Sequence, residues 1–306
     1  MKRFLRSCIA AFFCLVTIPS PTPARAASEL EQHLRDEYKG KHFVVRNFYS
    51  GKRLKYDSAG ALIDSEPSGD WTLDGFVYVD DVRLSSGKLV VHCKRSVVTA
   101  ISKGFQFGDS STEGKKGKRS LHIEAELPGA NSSSDLIASV LSRVFLTEND
   151  SLAELVPDYW KACVSAGLRG ADPACRFAPE FLSVPGLKVS PDSSVGREST
   201  RQDRSASTTG AVLKVGNGVT SPRIIGQHEP DFSTAAREAK YQGGMTLLLT
   251  VDSSGVPTNI RIARPIGYGL DEQAVRAVEH WQFEPAKKDG QPVAVEIAVE
   301  VDFHLY

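Results

Sequence analysis

Along residues 293–306 apolar and polar positions alternate without a slip. Val293, Val295, Ile297, Val299, Val301, Phe303 and Leu305 take the odd places, and Ala294, Glu296, Ala298, Glu300, Asp302, His304 and Tyr306 the even ones. Successive side chains of a strand point to opposite faces, so this period predicts one apolar and one mostly polar face. Fourteen residues exceed the usual strand of about five or six, and so long an apolar face needs a cover. The preceding segment supplies it: Leu270, Ala274, Ala277, Val278 and Trp281 share one face of a helix predicted over 270–281. Asp271 and Glu272 fall in its first turn, where acidic groups favour the helix dipole. Upstream, Met245, Leu247, Leu249 and Val251 alternate inward, Ser253-Ser254-Gly255 turns the chain, and 256–263 returns. STAAREAKY, 233–241, predicts a helix capped by Ser233 and stopped at Gly243-Gly244. The order is helix-strand-strand-helix-strand, a small α+β domain with a three-stranded antiparallel sheet covered on one face by helices.

The earlier part of the chain has a different texture. Short β-rich runs at 43–49, 54–56, 61–63, 76–84, 89–94 and 121–127 are separated by Gly, Ser and Asp, which predicts an antiparallel meander, sandwich or barrel. A short exposed helix is expected over 29–39, with Leu30, Leu34 and Tyr38 on one face. A second, over 134–145, carries an apolar stripe from Leu136 to Phe145 and is capped by Ser133 or Ser134. A short helix from Ser151 towards Val156 follows, and Tyr159 and Trp160 pack the end of the domain. GDSSTEGKKGKRS, 108–120, has no apolar residue and reads as a mobile loop, with Lys115, Lys116, Lys118 and Arg119 on a solvated tip rather than in an anion site. Between 190 and 210 one Val and one Ala in twenty-one residues cannot build a core, so a flexible linker is expected. The α+β chain thus divides into a β-rich domain at 27–187, a linker at 188–211 and the small domain at 212–306.

Charge and cysteines add a compartment. Lys2, Arg3 and Arg6, an eleven-residue apolar run from Cys8 to Ile18, and Ala24-Arg25-Ala26 have the layout of a secretory signal, 1–26. That run is well short of the roughly 20 residues a spanning helix needs. Without Lys2, Arg3, Arg6 and Arg25, 33 basic residues would face 37 acidic ones, a weakly acidic balance that argues against nucleic acid as partner. Cys163 and Cys175 bracket a segment with Gly167, Gly170 and Pro173; in an oxidising compartment they read as a disulfide, the alternative being two free thiols. Cys93 reads as a buried thiol. No HExxH, GxSxG, phosphate-loop or dinucleotide pattern occurs, and the seven histidines have no ligand spacing. His122 with Glu124 and Glu126 could form a weak metal site, but a solvated strand face is the better reading. The expectation is a protein without catalytic, metal or cofactor site, no small-molecule substrate, and a protein partner.

The C-terminal domain resembles that of TonB-type energy transducers. The matching residues are Pro230, Phe232, Ala236, Gly243, Val251-Asp252, Gly255, Leu270-Asp271, Trp281-x-Phe283-x-Pro285, Asp289-Gly290-x-Pro292-Val293 and the final alternating strand. The resemblance implies a non-catalytic periplasmic module that couples an inner-membrane motor of the ExbB–ExbD kind to outer-membrane receptors. Such modules take a short receptor segment as an added strand on a sheet edge. Carried over by position, the partner-binding residues are Gln227, His228, Glu229, Pro230 and Phe232, and the edge formed by Val293, Val295, Ile297, Val299, Val301 and Phe303. Trp281, Phe283 and Pro285 read as core and turn. The chain departs from the family layout in three ways: a leader that reads as cleaved, a short polar linker instead of a proline-rich spacer, and a β-rich domain in the spacer's place. The alternative reading is a soluble periplasmic scaffold or adaptor that kept the fold without energy transduction. Location follows in the same terms: periplasm after cleavage, or anchored in the inner membrane and facing the periplasm.

Overall fold

The computed structural model describes residues 23–47, 51–63, 71–85, 87–101, 104–108, 119–129, 132–187 and 211–305. Most of the expected signal segment, the linker and the tip of the 108–120 loop lie outside them. The N-terminal module is built on six strands: β1 (His42–Val44), β2 (Arg53–Tyr56), β3 (Leu62–Ile63), β4 (Phe76–Ser85), β5 (Lys88–Arg95) and β8 (Ser120–Glu126). A separate hairpin, β6 (Val98–Ile101) and β7 (Gly104–Phe107), interrupts the series. The sheet order is β1-β4-β5-β8-β2-β3. Four of its pairings are antiparallel, but β2 lies parallel to β8, with Leu54 beside Ile123. The antiparallel expectation is corrected there because β2 and β8 meet by a long crossover rather than a hairpin, which permits parallel pairing.

Alternation sets the buried face. Val77 and Val79 of β4 point inward, and a bulge between Val79 and Asp81 shifts the phase so that Val82 continues the set. With Leu89, Val91, Leu121 and Ile123 they form a core under two helices, α1 (Pro23–Tyr38) and α2 (Ser134–Val144). Helix α1 contributes Leu34 and Tyr38, and α2 contributes Ile137, Val140, Leu141 and Val144. Ser133 caps α2, its Oγ accepting from Leu136 N at 3.3 Å. Arg119 is not on a loop tip: it donates to Asp74 Oδ1 at 2.7 Å and to the Ser96 carbonyl at 2.9 Å.

Beyond α3 (Leu152–Leu155) the chain forms α4 (Asp158–Leu168), where the sequence reading expected only packing residues and turns. Trp160, Cys163, Val164 and Gly167 bury one face of it at the i, i+3, i+4, i+7 spacing of an amphipathic helix. Cys163 is bonded to Cys175, with Cα atoms 5.3 Å apart. Gly167 makes this approach possible, since a Cβ there would lie 1.8 Å from the Cys175 carbonyl oxygen.

The C-terminal module comprises β9 (Leu213–Lys214), β10 (Arg223–Gly226), α5 (Thr234–Ala239), β11 (Gly243–Val251), β12 (Pro257–Arg264), α6 (Leu270–Val278), β13 (Gln282–Glu284), β14 (Ala286–Lys288), β15 (Gln291–Val293) and β16 (Val295–Phe303). The expected antiparallel trio is present as β12-β11-β16, and β9 adds a short parallel pairing on the far side of β16. The fourteen-residue alternation divides at Ala294: Val293 ends a hairpin arm, and β16 runs only from Val295 to Phe303, shorter than the strand expected to reach Tyr306. Helix α5 stops at Lys240, which adopts the left-handed conformation with φ 51°, while Gly243 and Gly244 begin β11. No helix among the described residues is long and apolar enough to cross a membrane.

The two modules share a core. Trp71, Phe76, Phe105, Trp160 and Phe181 pack in one buried cluster with Met245, Leu247, Ile262, Leu270 and Phe303. Helix α4 lies against β12, and Trp160 Nε1 donates to Glu272 Oε1 at 3.2 Å. Beside it, Tyr268 N donates to the Val98 carbonyl at 3.3 Å, and Thr99 forms an isolated antiparallel bridge with Gly267.

Candidate partner-binding edge

Strand β16 is held on its inner side by β11 through nine register pairs, from Gly243–Phe303 to Val251–Val295. On its outer side β9 covers its first two residues, Val295 and Glu296, and Leu213 N donates to the Ala294 carbonyl at 2.9 Å. Among the described residues no strand pairs with 297–303 on that side. Backbone polar groups alternate sides along a strand. With the Ala294 carbonyl facing β9, the even residues Ala298, Glu300 and Asp302 turn their N–H and C=O groups to the open edge, and the odd residues bond to β11.

This changes what the site residues do. Val295, Val299, Val301 and Phe303 are buried, and Val293 and Ile297 are half-buried against the same core. Their side chains form the floor beneath the edge rather than its contact surface. The outward side chains are the exposed Ala298, Glu300 and Asp302, and Glu296, which pairs with Arg261 of β12. That parity was available in the sequence, but which parity faces a partner depends on the register with β11 and β9.

The second set, Gln227 to Phe232, runs between β10 and α5. Gln227, His228 and Glu229 are exposed, while Pro230 and Phe232 are half-buried. Trp281 Nε1 donates to the His228 carbonyl at 2.9 Å, and the Phe232 ring stands edge-on to Phe303 with centroids 5.5 Å apart. The fold therefore brings the two predicted sets together at the C-terminal end of β16. Ser233 fixes the bend, its Oγ accepting from Ala236 N at 3.0 Å and donating to the Tyr268 carbonyl. Trp281 and Phe283 are core residues.

The opposite side of the sheet is chemically distinct. Asp271 and Glu272, in the first turn of α6 as expected, are buried. Asp271 accepts from Ile266 N at 2.8 Å and Gly267 N at 2.7 Å, holding the loop before α6. Burial pushes its carboxyl up in spite of those bonds. Burial also pushes up the Glu272 carboxyl, and Asp271 beside it adds to the effect. Glu272 Oε2 has no hydrogen-bond partner. The two carboxyls thus sit in the contact between the modules, where burial favours their protonated forms.

Histidines sort by environment. His42 shares a hydrogen bond of 3.0 Å with Ser96 Oγ and stacks on Phe107 with centroids 3.8 Å apart. His122 meets His92 of the neighbouring strand. Among the described residues no three His, Cys, Asp or Glu side chains form a group able to hold a metal.

Comparison with known proteins bears on the C-terminal module. The family described as Gram-negative bacterial TonB protein C-terminal matches residues 228–305. Protein tonB2 of Pseudomonas aeruginosa is 32% identical over 77 residues, covering 25% of this chain and 28% of that protein. Protein TonB of Xanthomonas campestris pv. campestris is also 32% identical over 77 residues, covering 25% of this chain and 34% of its own length. The chain therefore spans about a third or less of these relatives. The solution NMR structure of the Pseudomonas aeruginosa TonB CTD aligns at 19% identity over 29% of this chain and 89% of that one, with a TM-score of 0.24. The resemblance read from the sequence stands for this segment: residues 228–305 form a domain of the TonB C-terminal type, joined to an N-terminal module that lies outside the match.

Proposed function

We propose that this protein is a non-catalytic TonB-like periplasmic protein that takes an extended protein segment on the outer edge of β16. The observation that carries the reading is the open side of residues 297–303, flanked by the Gln227–Phe232 segment at one end and β9 at the other. Main-chain hydrogen bonds to Ala298, Glu300 and Asp302 supply affinity in such a mode, and side chains alternating along the added strand supply selection. The partner is an outer-membrane receptor's periplasmic segment, and the resemblance to TonB-type transducers extends the proposal to coupling with an ExbB–ExbD-like motor.

Proline scanning tests the edge with a built-in control. Ala298→Pro removes an outward N–H and leaves the β11 ladder intact, since proline is tolerated where the N–H faces away from the sheet. Val299→Pro removes an inward N–H and should unfold the strand. A labelled receptor segment should lose binding to full-length Ala298→Pro while the variant melts as the wild type does; undiminished binding would sink the proposal. The adaptor reading is supported by the shared core between the modules, which makes them one body rather than a domain on a tether. Mass spectrometry of the mature N-terminus separates the two: a start at Ala27 rules out an anchor in this chain, and retention of 1–26 supports transduction.

A further inference from the structure

We propose that His92 and His122 form a two-imidazole site for a divalent transition metal with a square-planar preference, copper(II) first and nickel(II) second. The residues stand directly opposite each other in the antiparallel pairing of β5 and β8. Their Nδ1 atoms are 3.0 Å apart, with ring planes at 89°. Both are half-exposed, so open coordination positions can be filled by water.

The ligand type sets the order of metals: imidazole nitrogens favour copper(II) over nickel(II) and zinc, and the present spacing is compatible with a cis pair. With metal–nitrogen bonds of about 2.05 Å, nitrogens 3.0 Å apart subtend about 94°, the cis angle of square-planar and octahedral complexes. Tetrahedral zinc would hold the same nitrogens about 3.3 Å apart. The ladder on both sides fixes the two Cα positions, and the rings, now sharing a hydrogen bond between their Nδ1 atoms, would rotate to aim both lone pairs at one ion. Asp81, across β4 from His92, is tied to Arg35, Arg83 and Lys39. Arg53 stands across β2 from His122. The site is therefore two nitrogens completed by solvent. On the strand face that the sequence reading took as solvated, His122 meets His92 across the ladder rather than Glu124 or Glu126.

The experiment is titration of the full, disulfide-intact protein with Cu2+, Ni2+ and Zn2+, read by calorimetry and, for copper, by electron paramagnetic resonance. The expected result is one equivalent of Cu2+ with a two-nitrogen signature, bound more tightly than Ni2+ and Zn2+. His92→Ala and His122→Ala should each weaken it by at least about tenfold. His122→Gln, which keeps a polar partner for His92, should do the same, so that a folding defect is not mistaken for ligand loss. His228→Ala with His280→Ala, and Glu124→Gln, should leave binding unchanged. Copper uptake that survives loss of His92 or His122, or zinc bound as tightly as copper, would overturn the assignment.

Discussion

Replacing Glu272 by glutamine tests the seam between the modules. The side chain is 3% exposed, one oxygen accepts from Trp160 and the other has no partner. Burial, with Asp271 alongside, raises its pKa from 4.5 to about 8. In the unfolded chain the proton leaves near the lower value and in the folded chain near the higher one. Between them the folded state holds the extra proton, so the stability this group contributes is full below the unfolded pKa and is lost as pH rises through that window. At about 1.4 kcal/mol per pH unit, the whole window is worth up to about 5 kcal/mol. Asp271, raised by burial as well, adds a loss of the same sign that begins at lower pH. Glu272→Gln keeps the shape and the acceptor for Trp160 but does not titrate. Its stability should match the wild type at the acid end of the window and exceed it increasingly toward the alkaline end. Urea unfolding across the window reads this through tryptophan fluorescence, because Trp71, Trp160 and Trp281 are all buried. Parallel pH slopes in the two proteins would refute the account. A variant less stable than the wild type at the alkaline end would show instead that Glu272 is charged and held by Trp160.

Two further predictions follow from close contacts. Gly167→Ala places a Cβ 1.8 Å from the Cys175 carbonyl oxygen and should cost more than about 2 kcal/mol, read as a drop in melting temperature; a variant as stable as the wild type would mean α4 can back away from Cys175. Replacing Cys163 and Cys175 together by serine opens a loop between residues twelve apart and should lower unfolding free energy by about 3 kcal/mol, measured by the urea midpoint.

What could be read from the sequence was whatever depends on one strand or one helix at a time. The alternation of 245–251 and 295–303 survives because one face of each strand is buried and the other is not. Trp160, Cys163, Val164 and Gly167 carried helical spacing too, but Gly167 and the two cysteines read as turn chemistry, so α4 was missed. Features that need register lay beyond reach. His122 has Glu124 and Glu126 as neighbours in the chain, whereas its actual neighbour, His92, follows from how β5 slides against β8. Asp271 and Glu272 looked like ordinary first-turn acids because nothing local reveals that Trp160, more than a hundred residues earlier, covers them. That the apolar residues of β16 lie beneath its edge was hidden for the same reason: apolar side chains are conspicuous in a sequence, and the direction of a backbone N–H is not.

The shared core also changes how the C-terminal sheet can act. Its two long edges are unequal: β12 lies against α4, and among the described residues no strand pairs with the outer side of β16 from Ile297 to Phe303. A strand seated on β16 would pass load to β11 through nine register pairs, then to β12, and from there into α4 and the Trp160–Glu272 contact. On the proposed reading such load would cross at the seam, where the protonation of Glu272 bears on it. A neutral Glu272 lets the apolar surfaces close around Trp160. An ionised one beside Asp271 sets two like charges in a region with no cation to offset them among the described residues. The proposed partner binding on β16 and the predicted pH response of the seam are separable in experiment, since Ala298→Pro touches the first and Glu272→Gln the second. A change in receptor-segment affinity on Glu272→Gln would show that the N-terminal module is coupled to the edge and does more than cover the far side of the sheet.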